Sequence, residues 1–135
     1  MSKTVVEENE FATMWYHPEE KIIHHEYKKF MSGDVFHNFL LKGTETMKKN
    51  GASKWLSDDR KNSVLTTEDM KWGETNWFPQ TLQAGWKYWA IVQPTAAIAK
   101  MNTDKIVKQY GEAGVVAKYF TDPDEAFKWL ASQGK

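Results

Sequence analysis

The feature that most constrains the fold is an apolar run in the second half of the chain. Residues 88–92 read Tyr-Trp-Ala-Ile-Val and lie between Gly85 and Pro94, two residues that favour turns. A strand that is apolar on both faces is typical of the middle of a covered, largely parallel sheet. Because parallel strands are joined by crossover helices, this run predicts an α/β fold.

The first half of the chain predicts an antiparallel hairpin followed by a long helix. Polarity alternates along residues 11–17 and 21–30, and Pro18 favours a turn between the two runs. After Ser32, apolar residues recur at helical spacing until Gly51, which suits the left-handed residue beyond a helix end. We therefore expect a ββα arrangement here.

The second half predicts strands and helices in alternation. A short strand over 53–57 precedes a helix that starts at Thr66 and should kink or break beside Pro79. A further helix and a strand over 115–120 follow the apolar run, and Asp122 caps a closing helix. The predicted order is ββαβαβαβα, a mixed, mostly parallel sheet with an antiparallel N-terminal hairpin and helices that cover it.

Length and composition fit one soluble domain, which is predicted over residues 11–135 after a loose, polar lead-in over residues 1–10. The 18 Lys and Arg balance 18 Asp and Glu, which leaves no basic surface for nucleic acid. The absence of cysteine excludes disulfides, thiol nucleophiles and zinc–cysteine or iron–sulfur sites. No apolar run approaches the roughly 20 residues of a transmembrane helix and no signal peptide is recognisable, so we expect a cytoplasmic protein.

A family resemblance rests on motifs around the apolar run and the closing helix. These motifs are Gly85-Trp86-Lys87, Gln93-Pro94, Phe120-Thr121-Asp122, Glu125-Ala126 and Trp129-Leu130. With them, over residues 11–131, the chain resembles the SpoIIAA-like or STAS-like family, which includes the bacterial anti-sigma factor antagonists. The resemblance implies a SpoIIAA-like fold and a non-enzymatic regulatory or protein-interaction module whose working surface lies between residues 58 and 77.

The same resemblance implies a phosphorylation site at the start of the second predicted helix. Ser63, Thr66 and Thr67 occupy the matching region, although the Asp-Ser-x-Gly signature of the anti-sigma factor antagonists is absent. A phosphate at a helix N-terminus is favoured by exposed amides and the helix dipole, so these hydroxyl groups could act as a switch. The alternative is that Thr66 or Thr67 simply caps the helix.

The seven tryptophans exceed what a small core readily accommodates, because each buried indole N–H needs a partner. One hypothesis is an aromatic cleft between the second helix and the sheet, gated near Pro79, for a small hydrophobic, lipid-like ligand. Another is an interface for a homodimer or a protein partner, and the third is ordinary core. The residues predicted for a ligand or an interface are Trp15, Trp72, Trp77, Phe78 and Trp86.

The titratable residues indicate no catalytic or metal site. His24 and His25 face opposite sides of a strand and lack an HxxxH or HxH spacing, so neither a metal nor another cofactor is predicted. Asp58 and Asp59 follow a strand, where parallel sheets often bind ligands, but no phosphate-binding loop or nucleophile motif completes them. We expect solvated loop carboxylates there, and no enzyme.

Overall fold

Six strands form a single sheet in which neighbours in sequence are also neighbours in space. The computed structural model describes residues 3–61 and 65–134 of the 135-residue chain. The strands are β1 (Thr4–Glu8), β2 (Ala12–His17), β3 (Ile22–Tyr27), β4 (Lys54–Asp58), β5 (Tyr88–Val92) and β6 (Val116–Phe120). Strands β1, β2 and β3 pair antiparallel, whereas β3, β4, β5 and β6 pair parallel. The predicted α/β class and its mixed sheet with an antiparallel N-terminal edge are confirmed.

Helices connect the parallel strands and close the chain. They are α1 (Gly33–Asn50), a continuous run of α2 (Thr67–Trp72), a π-helical turn (Gly73–Trp77) and α3 (Phe78–Gln83), and then α4 (Ala97–Glu112) and α5 (Pro123–Ser132). Gly51 ends α1 in the left-handed region at φ 62°, as predicted. The Asp122 side chain caps α5 by accepting a hydrogen bond from the Asp124 amide. Across the described residues, no helix is both long and apolar enough to cross a membrane.

The polar residues near the N-terminus form a strand, so the loose lead-in predicted over 1–10 is wrong for Thr4–Glu8. This strand pairs with β2 across a bulge between Val5 and Glu7. Val6 packs against the core, whereas Val5 on the other face is 54% exposed. Edge strands often carry charged residues, which discourage pairing with other chains, and this acidic composition concealed the strand.

The helix that begins at Thr67 adapts to Pro79 without breaking. Before the proline, the hydrogen bonds of the helix span five residues instead of four, so that the Phe78 amide donates to the Gly73 carbonyl. Pro79 then lies in the first turn of α3, where a missing N–H is best tolerated. The irregularity predicted beside Pro79 is present, but as a π-helical turn rather than a break.

The helices are divided unequally between the two faces of the sheet. Right-handed crossovers between successive parallel neighbours all run on one face, so α1, the α2–α3 helix and α4 are expected to share a face. The larger core agrees with this arrangement, because it joins Phe39, Trp77 and Tyr110 from those helices. The smaller core joins α5 to the opposite face of the sheet through Leu56 and Leu130.

Candidate functional site

A cavity lies at the carboxyl-terminal side of β3 and β4, where parallel sheets commonly bind ligands. Its volume is about 70 Å³, and residues of α1, α2, the π-helical turn and α4 close it. A buried water needs roughly 10–15 Å³, so the cavity has room for several waters or one small solute. The aromatic part of its wall consists of Tyr27, Phe36, Trp77, Trp89 and Tyr110.

A buried hydrogen-bonded chain of Trp55, His25 and Asp59 supports one side of the cavity. The Trp55 indole donates to Nδ1 of His25 at 2.9 Å, and Nε2 of His25 lies 3.0 Å from Oδ1 of Asp59. Because an indole N–H can only donate, Nδ1 must carry the lone pair and Nε2 the proton. In this arrangement His25 is neutral and donates to Asp59. The Asp59 carboxylate makes no other hydrogen bond among the described residues, and Asp59 is only 6% exposed.

Asp69 forms another part of the wall and ties α2 to the start of α1. Its carboxylate accepts a hydrogen bond from the Gly33 amide at 3.2 Å and lies 2.8 Å from Nε2 of His37. A carboxylate is favoured beside the first amides of a helix, and this one replaces the cap that the Ser32 side chain does not provide. The Trp72 ring stacks on His37 with the ring centroids 3.9 Å apart, so Trp72 packs against this pair.

Among the described residues, two buried polar atoms of the cavity-lining side chains have no hydrogen-bond partner, namely Nε1 of Trp77 and Oδ1 of Asn102. Trp77 is 7% exposed, so bulk water does not reach its N–H. The hydroxyl groups of Tyr27 and Tyr110 also lack a partner among the described residues. An unpaired buried donor or acceptor costs about 1–3 kcal/mol, so a polar guest would stabilise this part of the protein.

Burial keeps both of these phenol groups protonated. Desolvation raises the pKa of Tyr27 well above its usual value, and the nearby Asp59 and Tyr110 raise it further. Desolvation likewise raises the pKa of Tyr110, with a smaller contribution from Glu74. Both hydroxyl groups are therefore neutral hydrogen-bonding groups at ordinary pH.

The cavity adjoins a surface groove between α2 and α4. Met70, Asn102, Ile106 and Tyr110 line both the cavity and this groove, whose volume is about 520 Å³. Met70 and Ile106 are half-buried, and an unbranched methionine side chain changes its conformation easily. The gap between α2 and α4 is therefore the route by which a guest would enter.

A second groove lies on the opposite face of the sheet, beside α5. Its volume is about 790 Å³, and His17, His24 and Phe127 contribute to its wall. Nε2 of His17 lies 3.1 Å from Nδ1 of His24, so one ring donates to the other. Burial, followed by the neighbouring His17 and His25, lowers the pKa of His24 to about 3. Among the described residues, neither Trp77 nor Asn102, which carry the unpaired buried polar atoms, lines this groove. The cavity between the sheet, α2 and α4 is therefore the better candidate site.

The hydroxyl groups predicted as a phosphorylation switch occupy different environments. Thr66 is the N-cap of α2, and its Oγ1 accepts a hydrogen bond from the Asp69 amide at 3.0 Å. Thr67 is exposed in the first turn, and Ser63 lies outside the described residues. The capping role is thus confirmed for Thr66, while phosphorylation stays a prediction.

Replacing Thr66 by alanine should lower the free energy of unfolding by about 1 kcal/mol, because α2 loses its cap. Thr67→Ala is the matched control, since the exposed Thr67 hydroxyl makes no hydrogen bond among the described residues. For that variant we expect a change below about 0.5 kcal/mol. Urea unfolding measures both values, and equal losses in the two variants would contradict the capping role.

The five aromatic residues predicted for a ligand or an interface do not form one surface. Trp77 lines the cavity, whereas Phe78 and Trp86 are buried beside it in the larger core. Trp72 packs on His37, as described, and Trp15 lies on the opposite face of the sheet in contact with His24. Of the five, Trp77 is the one whose side chain meets the cavity.

Sequence reasoning missed the polar half of the site. The expectation that Asp58 and Asp59 are solvated is wrong, because they are 3% and 6% exposed. Asp58 forms a bidentate pair with Arg60 on one face, and Asp59 pairs with His25 on the other. The sequence signal that could have identified Asp59 was its position directly after a buried parallel strand. For Asp69 the only sequence signal was its place in the first turn of α2.

Comparisons with protein-family models, with curated proteins and with solved structures found no match for this chain. Within residues 3–61 and 65–134, no group of three or more His, Cys, Asp or Glu side chains is placed to hold a metal ion. Function is therefore inferred from the geometry of the cavity.

Proposed function

We propose that the protein is a non-enzymatic binding module that holds a small molecule in the cavity between the sheet, α2 and α4. The observation that carries this proposal is the Trp77 indole N–H, which is buried in an aromatic wall and has no partner in the described parts of the chain. Buried polar groups in folded proteins are nearly always hydrogen-bonded. An unpaired donor on a residue that lines a cavity is therefore available to a guest that accepts its hydrogen bond.

The size of the cavity favours a compact ligand. A lipid-like molecule, as expected from the aromatic residues alone, needs room for its chain, and pockets for drug-sized ligands measure about 300–1,000 Å³. A volume of about 70 Å³ accommodates one compact group. The ligand that fits is therefore a small molecule with polar groups rather than a lipid chain.

The hydrogen bonds of the polar residues support binding rather than catalysis. Both ring nitrogens of His25 are engaged, one by Trp55 and the other by Asp59. The Ser57 hydroxyl accepts a hydrogen bond from the Trp89 indole at 2.8 Å. A general base needs a free lone pair near its substrate, and a serine nucleophile needs an adjacent base. His25 and Ser57 therefore serve as structural partners in this proposal.

The resemblance to SpoIIAA-like proteins suggests what ligand binding does. In our proposal the protein has the SpoIIAA-like fold and is a cytoplasmic regulatory module that meets a protein partner or a second copy of itself. Helix α4, which closes the cavity, exposes Ile98 and Met101 at 59% and 69%. These exposed apolar side chains support a contact surface on the element that a bound ligand would touch.

A leucine at position 73 should abolish ligand binding because it fills the cavity. Gly73 lines the cavity, and a Cβ built there has the Tyr110 hydroxyl oxygen as its nearest neighbour at 3.8 Å, so the side chain can enter. Native mass spectrometry of protein purified from its own cell should show a bound small molecule on the wild type and none on Gly73→Leu.

Gly111→Leu is the matched control for this experiment. Gly111 is also helical, in α4, and a Cβ at this position meets nothing within 4 Å. This variant should retain the small molecule. Protein without a ligand in all three samples, or equal occupancy of Gly73→Leu, would contradict the proposed function.

A further inference from the structure

We infer that the ligand of this cavity is a compact organic cation that also carries a hydroxyl group, as an alkylammonium alcohol does. The inference rests on the proposed function, because it names the chemistry of a guest at that same site. Three independent features of the wall support it, namely an uncompensated carboxylate, a set of aromatic rings, and an unpaired donor and acceptor.

The first feature is the charge of Asp59. Its carboxylate is buried, and its partner His25 is neutral because the Trp55 indole occupies the other ring nitrogen. A buried carboxylate without a cationic partner is costly, and a cation in the adjoining cavity would offset that cost. Among the described residues no Lys or Arg lines the cavity, so the protein does not supply this cation there. An anionic guest would instead meet the carboxylates of Asp59 and Asp69.

The second feature is the ring composition of the wall. Tyr27, Phe36, Trp77, Trp89 and Tyr110 line a cavity of only about 70 Å³, so any guest touches several rings. Aromatic faces attract ammonium groups, and enclosed sets of rings are the established way in which proteins recognise quaternary ammonium ligands. Because both phenols are protonated, they add no charge of their own.

The third feature is that the two unpaired atoms are complementary to a hydroxyl group. Nε1 of Trp77 is a donor and Oδ1 of Asn102 is an acceptor, and both belong to the wall of the same cavity. A hydroxyl oxygen accepts one hydrogen bond while its hydrogen donates another. An alkylammonium ion without a hydroxyl group could donate to Oδ1 of Asn102 but would leave Nε1 of Trp77 without an acceptor, so the ligand that suits all three features is a cation with a hydroxyl group.

Ethanolammonium is the probe, because it joins an ammonium group to a hydroxyl group and is compact enough for a cavity of about 70 Å³. Its uncharged isostere is 1-propanol, which has a methyl group in place of the ammonium group, and glycolate is the matching anion. Calorimetric titration of each into the protein should give a dissociation constant for ethanolammonium at least about tenfold below that of the isostere. The anion should not bind measurably.

Asp59→Asn removes the charge of this side chain and keeps its shape, so it tests how much the charge contributes to binding. Asparagine keeps an oxygen that accepts the His25 hydrogen bond, so the melting temperature should stay near that of the wild type. Ethanolammonium affinity should fall by more than about tenfold, whereas the affinity of the uncharged isostere should change by less than about threefold. Gly73→Leu should remove the binding of both, and Gly111→Leu of neither.

The outcomes distinguish this inference from the proposed function. If the isostere or the anion binds as tightly as ethanolammonium and Gly73→Leu removes that binding, the cationic ligand is overturned and the cavity remains a ligand site. If no probe binds, the inference is overturned, and the native mass spectrum alone decides the proposed function. If ethanolammonium binding survives in Gly73→Leu, the cation binds elsewhere and the inference is overturned, while the native mass spectrum decides the proposed function.

Discussion

Alanine at position 43 should destabilise the protein by about 3 kcal/mol, because it forces a methyl group into a filled core. Gly43 lies in α1 against the sheet, and a Cβ there would overlap Cη2 of Trp55 and come within 2.9 Å of Cε of Met14. The methionine end can move aside, but Trp55 is fully buried and its indole is held by His25. The close approach of α1 to β4 therefore depends on glycine at this position.

Gly111→Ala is the control for this prediction, because both glycines are helical and differ in their surroundings. A Cβ at Gly111 meets nothing within 4 Å, and alanine is the better helix former by about 1 kcal/mol, so this variant should be neutral or slightly more stable. Urea unfolding gives both free energies. If Gly43→Ala were as stable as Gly111→Ala, the packing of α1 against Trp55 would be wrong.

The second large effect is a loss of stability in acid through His17 and His24. Burial lowers the pKa of both rings in the folded protein, that of His24 to about 3. Below their ordinary pKa of about 6.5 the unfolded chain takes up protons that the folded chain does not. Stability is therefore complete above about pH 6.5 and falls as the pH drops toward 3, by about 2 kcal/mol at pH 5 for His24 alone.

His24→Gln should remove most of this pH dependence, since glutamine does not titrate and can still hydrogen-bond to His17. The charged groups that face the pair are Lys3, which lowers both pKa values, Glu20, which raises that of His17, and Asp58, which raises that of His24. Unfolding free energies at pH 7, 6 and 5 should decline by about 2 kcal/mol more in the wild type than in the variant. Parallel curves would contradict the assignment.

Local chemistry made much of the fold predictable from the sequence. The end of α1 at Gly51 and the start of α5 at Asp122 follow from the residues themselves, and the apolar run over 88–92 indicates an interior strand, as β5 is between β4 and β6. β1 was not predictable, because an edge strand is stabilised by its partner rather than by an apolar pattern. The π-helical turn was not either, since its wider hydrogen bonds depend on packing around Pro79.

The candidate site, like the fold, could be predicted from the sequence only in part. Trp77 was one of five aromatic residues predicted for a ligand or an interface, and the need of a buried indole for a partner, a property of the residue alone, did not single it out. The pair of His25 and Asp59 joins residues 34 positions apart, and that of His37 and Asp69 joins residues 32 apart. Such pairs arise from the order of the strands and helices, so local patterns contain no sign of them. The neutral state of His25 depends on a further long-range contact with Trp55.

The most direct test of the central claim, that the cavity is a ligand site, is the indole resonance of Trp77. A proton–nitrogen correlation spectrum resolves the indole groups of the seven tryptophans, and Trp77→Phe identifies the Trp77 signal by its disappearance. Titration with ethanolammonium should shift this signal most, because the N–H gains an acceptor, while Trp129 on the opposite face should not respond. A Trp77 signal that does not move while calorimetry shows ethanolammonium to be bound would contradict the claim, because the ligand would then lie elsewhere.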